Sequence, residues 1–385
     1  MLSIGIVGLP NVGKSTLFNA LTAAGAEVGA YPFTTIEANV GVVAVADERL
    51  EALRRTLGAG EATPCFVRFV DVAGLVEGAS RGEGLGNRFL GEIRGVDAVA
   101  HVVRAFPDEE ISHVHGSVDP ARDAGVIETE LLLADLEVLE RAVDKRVRVW
   151  TTAPPEHAAE RDRLSRWRAA LAEGTPLARL GLDAEARREA KALGMITAKP
   201  TLYVANVGED GYGADGGGAG GGGADRAEGD AAKGDGGPMP GLAALRERAA
   251  GDGAGVVEVS ARLEAELAEL DPPDRAPFLA ELGLDRTGLE RMVEAAFDLL
   301  GLVRFYTVVG GKLHAWEVPR GTPAPEAAGR VHTDMQEGYV RARVAAWDDL
   351  VEAGSFGELV KTGRVRTEGK AYEVRDGDVV EFLFT

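Results

Sequence analysis

Near the start of the chain, Gly8-Leu-Pro-Asn-Val-Gly13-Lys14-Ser15 has the spacing GxxxxGK[ST]. Such a run suits phosphate chemistry. Gly13 lets the backbone curl around phosphate oxygens with successive N–H groups pointing inward, and a helix opening near Lys14 adds its positive end. Lys14 would reach the β- and γ-phosphates, and the Ser15 hydroxyl would ligate Mg2+. Further along, Asp71-Val-Ala-Gly74 closes an apolar run. An Asp at that place can hold the Mg2+ shell, and the Gly74 N–H can donate to the γ-phosphate. DxxG is weak by itself but strong after a phosphate loop. Between the two lies YPFTTIE, where Thr35, or its neighbour Thr34, could add a second metal hydroxyl from a nucleotide-sensing loop; Thr35 is preferred.

A base-reading site is expected at Asn206-Val-Gly-Glu209. GTP-specific P-loop proteins carry NKxD there, and the Asp accepts two guanine N–H donors. Val207 and Glu209 replace the Lys and the Asp. A longer carboxylate cannot keep the bidentate geometry, so guanine preference should be lost and adenine become acceptable. Ser260-Ala261-Arg262 follows the next apolar run and could back the base with main-chain groups. For the chemical step, Leu75 stands where Ras-like enzymes place the water-orienting Gln, and Leu cannot hydrogen-bond water. Intrinsic hydrolysis should therefore be slow. His113, in DEEISHVHG, is the candidate substitute, with His115 as the alternative; a purely structural histidine at this loop is an equal reading. Residues 76–90 hold four glycines and mixed charges, suited either to a segment ordered by γ-phosphate or to a plain loop.

These residues need a frame. LSIGIVG, PCFVRFVDV, VDAVAHVV, PTLYVAN and AGVVEV read as buried strands alternating with helical stretches, the pattern of a mostly parallel sheet covered by helices. The fold class is α/β. Residues 125–195 carry apolar residues at helical intervals with a Pro-containing break at TTAPPEH, and read as an inserted helical hairpin, or as two ordinary surface helices. Residues 213–237, Gly-rich and without large apolar side chains, cannot form a packed core and read as a flexible insert. From Gly301 onward FYTVVGG, KLHAWEV, GRVHTDM, YVRARVA and DVVEFLF are short strand candidates of a small β-rich domain.

The 385 residues carry 42 Lys and Arg against 62 Asp and Glu, a net charge of −20, which excludes a generally basic nucleic-acid coat. The last region, with 11 basic and 13 acidic residues, is the part least repelled by an RNA-containing partner. Lys361, Arg364, Arg366, Lys370 and Arg375 cluster there, as a partner surface or a solvated face. The single cysteine, Cys65, excludes an intramolecular disulfide and fits a reducing compartment. The absence of an 18-residue apolar run or a basic leader leads to the expectation of a cytosolic protein with no membrane partner, and the acidic balance to that of no DNA partner.

GLPNVGKST, YPFTTIEANVGVV, DVAGLVEGASRGEGLGNRFL, the NxxE segment and VHTDMQEGYVRA…EGKAYEVRDGDVVEFLF together resemble the YchF family of Obg-related P-loop NTPases, over essentially the whole chain except 213–237. The resemblance implies a G domain at 1–278 with a helical insertion at 117–198, a connecting helix at 279–300 and a C-terminal β-grasp (TGS) domain at 301–384. It also implies ATPase activity with ATP preferred over GTP, Mg2+ dependence and association with the ribosome, on its large subunit or the 70S particle. Carried over by motif, Asn11, Val12, Gly13, Lys14, Ser15 and Thr16 would bind phosphates, Ser15 and Thr35 the metal, and Asn206, Val207 and Glu209 the base. Asn11 also resembles the P-loop Asn that helps hold K+ in some related NTPases. The usual NxNE reads NVGE here and EPN reads EAN. An Obg-type GTPase and a ribosome-binding regulator with negligible turnover are the competing readings.

Overall fold

The computed structural model describes residues 2–26, 39–72, 85–152, 157–209, 212 and 241–385. Thr34, Thr35, Gly74, Leu75, residues 76–84 and the Gly-rich 213–237 stretch lie outside the described residues. Two compact units emerge, Leu2–Val42 with Arg68–Ala296, and Val43–Val67 with Phe297–Thr385.

The first unit is built on a sheet of β1 (Ser3–Val7), β2 (Val40–Ala44), β4 (Phe66–Asp71), β5 (Ala98–Ala105), β6 (Thr201–Val207) and β7 (Val256–Val259) in the order β2-β4-β1-β5-β6-β7; β3 (Glu61–Thr63) belongs elsewhere. The pairs β1/β4, β1/β5, β5/β6 and β6/β7 are all parallel. All five residues of β1 and all eight of β5 are buried, as expected of strands covered on both faces. The five strands expected from apolar runs are all present. Sheet order puts the C-terminal ends of β1, β4, β5 and β6 side by side, and the loops that leave those ends carry the motif residues.

The stretch after β5 is helical as expected. Pro120–Thr152, Ala158–Ala172 and Ala184–Leu193 are helices that bury Leu139, Trp150, Leu164, Trp167, Leu171 and Met195 together. Two polar staples fix them. Glu160 accepts from Trp150 Nε1 at 3.1 Å and Arg146 Nε at 2.8 Å, and fully buried Asp135 accepts from Ile196 N, Thr197 N and Thr197 Oγ1 at 2.9, 2.7 and 2.7 Å. Asp183 caps the last helix at its start, and Gly194 in the left-handed region ends it.

The second unit contains β3, β8 (Leu302–Val309), β9 (Lys312–Pro319), β10 (Tyr339–Ala346), β11 (Arg366–Glu368) and β12 (Asp378–Phe384) in the order β11-β10-β12-β8-β9-β3. β8/β9 is an antiparallel hairpin, β12 lies parallel to β8, and β10 is antiparallel to β12. Four of the five expected strands are there. GRVHTDM is not one of them. It falls in helix Ala324–Val331 and the short helix Thr333–Glu337, because APEAAGRV lays Ala324, Ala327 and Ala328 at helical spacing against Val303, Phe305, Tyr339 and Phe382.

Residues 43–67, read from the sequence as part of the nucleotide-binding domain, group with this C-terminal unit. The physical reason is a distant set of partners. β3 pairs with β9 in parallel from Glu61↔Lys312 to Thr63↔His314. Asp47 caps helix Glu48–Leu57 by accepting from Arg49 N at 3.1 Å and also takes the Tyr306 hydroxyl at 2.5 Å. Arg49 Nη1 donates to Asp376 at 2.6 Å, and Asp376 accepts from Arg304 N at 2.8 Å. The basic cluster is largely neutralised within the unit. Lys361 pairs with Glu358, Arg364 with Asp349 and Glu352, and Arg366 with Asp378.

Candidate functional site

The loop after β1 has the backbone that phosphate binding needs. Gly8, Asn11 and Gly13 have φ of 155°, 60° and 96°. At Gly8 a Cβ would run into the Val102 carbonyl oxygen, and at Gly13 into the Asn206 side-chain nitrogen, so the loop can pass so close to β5 and β6 only with hydrogen there. Helix Lys14–Ala26 starts at once, with Ser15 and Thr16 exposed on its first turn and Val12 packed beneath. Lys14 folds back over the loop and donates to Leu9 O at 2.7 Å. Burial pushes its ammonium down to about 8, against the pull of the Asp71 carboxylate.

Asp71 ends β4 and accepts a long hydrogen bond, 3.5 Å, from the Ser15 hydroxyl. Burial raises the Asp71 pKa while Lys14 and Ser15 hold it back. A hydroxyl and a carboxylate meeting beside a buried ammonium are hard oxygen donors of the kind Mg2+ takes together with phosphate oxygens, so the residues present fit that ion.

On the base side the side chains are placed less simply. Asn206 is buried, and both ends of its amide are engaged: Nδ2 donates to Val12 O and Oδ1 accepts from Ala261 N, each at 2.9 Å. Asn206 is therefore a strut that ties the phosphate loop to the Ser260–Arg262 segment. Val207 is buried at the end of β6, and Ser260 is the buried N-cap residue of helix Ala261–Glu269. Glu209 stays exposed, as does Arg262, and the two form an ion pair at 2.9 Å. Gly208, without a side chain, leaves its neighbour Phe106 at ordinary van der Waals range of where a Cβ would stand.

His113 sits in the loop after β5, beside the phosphate loop: Asn11 Nδ2 donates to Ser112 O and Ser112 Oγ, both at 3.3 Å. Its ring nitrogens are both engaged. Nδ1 accepts from His115 N at 3.1 Å, so Nε2 bears the proton and donates to Asp123 Oδ2 at 2.9 Å. In the observed arrangement the ring has no lone pair free for water, which matches the structural reading left open beside the catalytic one.

Two buried groups near the site belong to no motif in the sequence. Arg104, fully buried at the end of β5, donates from Nε, Nη1 and Nη2 to the carbonyls of Phe106, Ile111 and Asp108 at 3.0, 2.9 and 2.9 Å and stacks over the Phe106 ring. It shapes the loop that carries Ser112 and His113. The signal was visible as a lone Arg in the apolar run VDAVAHVVRA. His101, on the same strand, is buried beside Tyr203 with Nε2 unpartnered, and burial lowers its pKa to about 4.

A parallel sheet whose first strand opens into this glycine-bent loop and helix, with an aspartate closing the neighbouring strand, defines a P-loop domain of the GTPase type. A family model described as a 50S ribosome-binding GTPase matches residues 3–131, and the YchF-GTPase C-terminal family, described as a protein of unknown function, matches residues 302–385. The chain is 42% identical over 383 residues to the "Ribosome-binding ATPase YchF" of Bacillus subtilis, covering 100% of this chain and 99% of that one. It is 43% identical to the protein of the same name from Escherichia coli O157:H7, covering 99% and 98%. The solved structure titled "Structure of the Schizosaccharomyces pombe YchF GTPase" superposes with a TM-score of 0.84 at 29% identity, over 99% of this chain and 97% of that one. The chain belongs to the YchF family.

Proposed function

We propose that this protein is a ribosome-associated P-loop ATPase that binds ATP with Mg2+ in preference to GTP, hydrolyses it slowly and serves in the cytoplasm as a nucleotide-dependent translation and stress switch. The observation that carries hydrolysis is the meeting of the Ser15 hydroxyl, the Asp71 carboxylate and the buried Lys14 ammonium at the mouth of the glycine-bent loop. When bound, Mg2+ supplies charge neutralisation on the β- and γ-phosphate oxygens; Ser15, Thr35 and Asp71 are the residues that would hold it. The loop N–H groups from Asn11 to Thr16 bind the phosphate oxygens. Lys14 exchanges Leu9 O for a phosphate oxygen, and the charge that arrives restores its full protonation. Gly74 N–H donates to the γ-phosphate. His113 is the group that orients the attacking water once its ring turns from Asp123. Asn11, whose nitrogen is spent on Ser112, keeps an oxygen for K+; equal turnover in Na+ and K+ would refute that role.

The adenine preference rests on Glu209. Its carboxylate is tied to Arg262, which leaves it poorly placed to take two guanine N–H donors. Asn206 and Val207 set the wall of the base pocket, and Ser260, Ala261 and Arg262 line its other side. The names of the relatives point both ways, ATPase for the bacterial proteins and GTPase for the Schizosaccharomyces pombe structure. Paired ATP and GTP dissociation constants on the purified chain decide the matter. Tighter ATP is expected, and tighter GTP would make the chain an Obg-type GTPase.

The ribosome, through its large subunit or as the 70S particle, is the proposed partner, in keeping with the names of the relatives. The hairpin–helix–strand order of the C-terminal unit, with β8 and β12 parallel at its centre, supports reading 301–384 as a TGS-type β-grasp domain. Phosphate release with and without ribosomes separates a switch that turns over from a regulator that only binds.

A further inference from the structure

We propose that Asp123 is a restraint on the reaction, holding His113 in a disengaged position that nucleotide binding must release. The inference rests on the reading of His113 as the water-orienting group. Its geometric basis is the closure of both ring nitrogens, Nδ1 by His115 N and Nε2 by Asp123 Oδ2. The Asp123 side chain is 1% exposed and that of His113 6%. Asp123 is itself fixed, since its other oxygen accepts from Arg122 Nε and Nη2 at 3.0 and 2.8 Å, and Arg122 also donates to Ser117 O at 2.5 Å and Ser117 Oγ at 3.0 Å.

The bond is not needed to anchor the loop. Arg104 already holds the carbonyls of residues 106, 108 and 111. Asn11 holds Ser112, Gly116 N donates to His113 O at 3.0 Å, and Arg122 holds Ser117. With the backbone fixed on both sides, the His113 ring can turn about its own side-chain torsions without unravelling the segment. Beyond its grip on Arg122 and a long 3.5 Å contact from Asp119 N, what Asp123 adds is control of the ring. A charge-assisted hydrogen bond is about twice as strong as a neutral one, so the carboxylate biases the ring toward the state in which it has no acceptor to offer. The neighbouring contact of Asn11 with Ser112 places this pair where occupancy of the phosphate loop can reach it.

The test uses the full chain with ATP and Mg2+. Asp123→Asn keeps the shape and weakens the grip. Its kcat should rise roughly five- to tenfold with KM for ATP unchanged, a gain that mere structural damage would not produce. His113→Ala and the double variant should both turn over at the same low rate. An Asp123→Asn rate at or below wild type, with His113→Ala inactive, overturns the restraint while leaving the role of His113 standing. Unchanged turnover in His113→Ala overturns both. A second measurement does not depend on the variants folding. The 15N shifts of the His113 ring in the unaltered protein should show an Nε2-protonated imidazole whose Nε2 signal moves on adding a non-hydrolysable ATP analogue with Mg2+. A signal that stays put sinks the proposal.

Discussion

Replacing Asn206 by alanine removes both ends of the strut between the phosphate loop and the segment at Ala261. The Val12 carbonyl and the Ala261 N–H each lose a 2.9 Å partner in a buried setting. Leaving a buried polar group unpaired costs about 1–3 kcal/mol, so the pair should lower stability by about 2–5 kcal/mol. In a domain of this size that corresponds to a fall in melting temperature of roughly 5–15 °C. Urea unfolding should show a lower midpoint with an unchanged slope. Nucleotide binding should weaken for ATP and GTP alike, by about tenfold, because the loop is less firmly placed while the base pocket keeps Glu209. Asn206→Asp is the sharper companion, since it retains the acceptor for Ala261 N but sets a second oxygen against Val12 O. The reasoning is refuted if stability is untouched while the ATP-to-GTP ratio shifts by about tenfold or more, for Asn206 would then be reading the base.

Two further outcomes follow from the buried groups of β5. His101 has a folded-state pKa near 4, below the ordinary value of 6.5, so the unfolded chain takes up its proton first as the pH falls. Its contribution is complete above pH 6.5 and is lost between 6.5 and 4, amounting to about 3 kcal/mol; His101→Gln should flatten that part of a stability-against-pH curve measured by urea titration. Arg104→Met should expose three carbonyls and lower stability by about 3 kcal/mol or more, and amide exchange across residues 106–118 should quicken before the rest of the unit opens. Uniform exchange in that variant would show that the loop does not depend on the guanidinium.

Some of this site can be read directly from the chain. The phosphate loop is local chemistry, in which glycines, a lysine and a hydroxyl in fixed order lie between an apolar run and a helix, and the backbone turns at Gly13 as expected, with φ of 96°, and also at Asn11, with φ of 60°. The buried strands follow from their unbroken apolar runs. What the sequence conceals is long-range. Asn206 is recognisable by type, yet its bonding depends on Val12 and Ala261, which are 194 and 55 residues away. The engagement of His113 depends on where helix Pro120–Thr152 brings Asp123. GRVHTDM alternates like a strand, but the alanines before it pack only as a helix.

The grouping of residues 43–67 with the C-terminal unit also bears on how the protein is made. Val67 precedes Phe297 by 230 residues. At synthesis rates of about 5–20 residues per second, helix Glu48–Leu57 and β3 leave the ribosome roughly 10–50 s before β9, Tyr306 and Asp376 exist to receive them. During that wait Leu50 and Leu53, buried in the finished protein, have no final seat. A nascent chain stalled before residue 297 should therefore be prone to aggregate at this segment even after its phosphate loop has formed, and truncation at that point should yield a less soluble fragment than the intact chain.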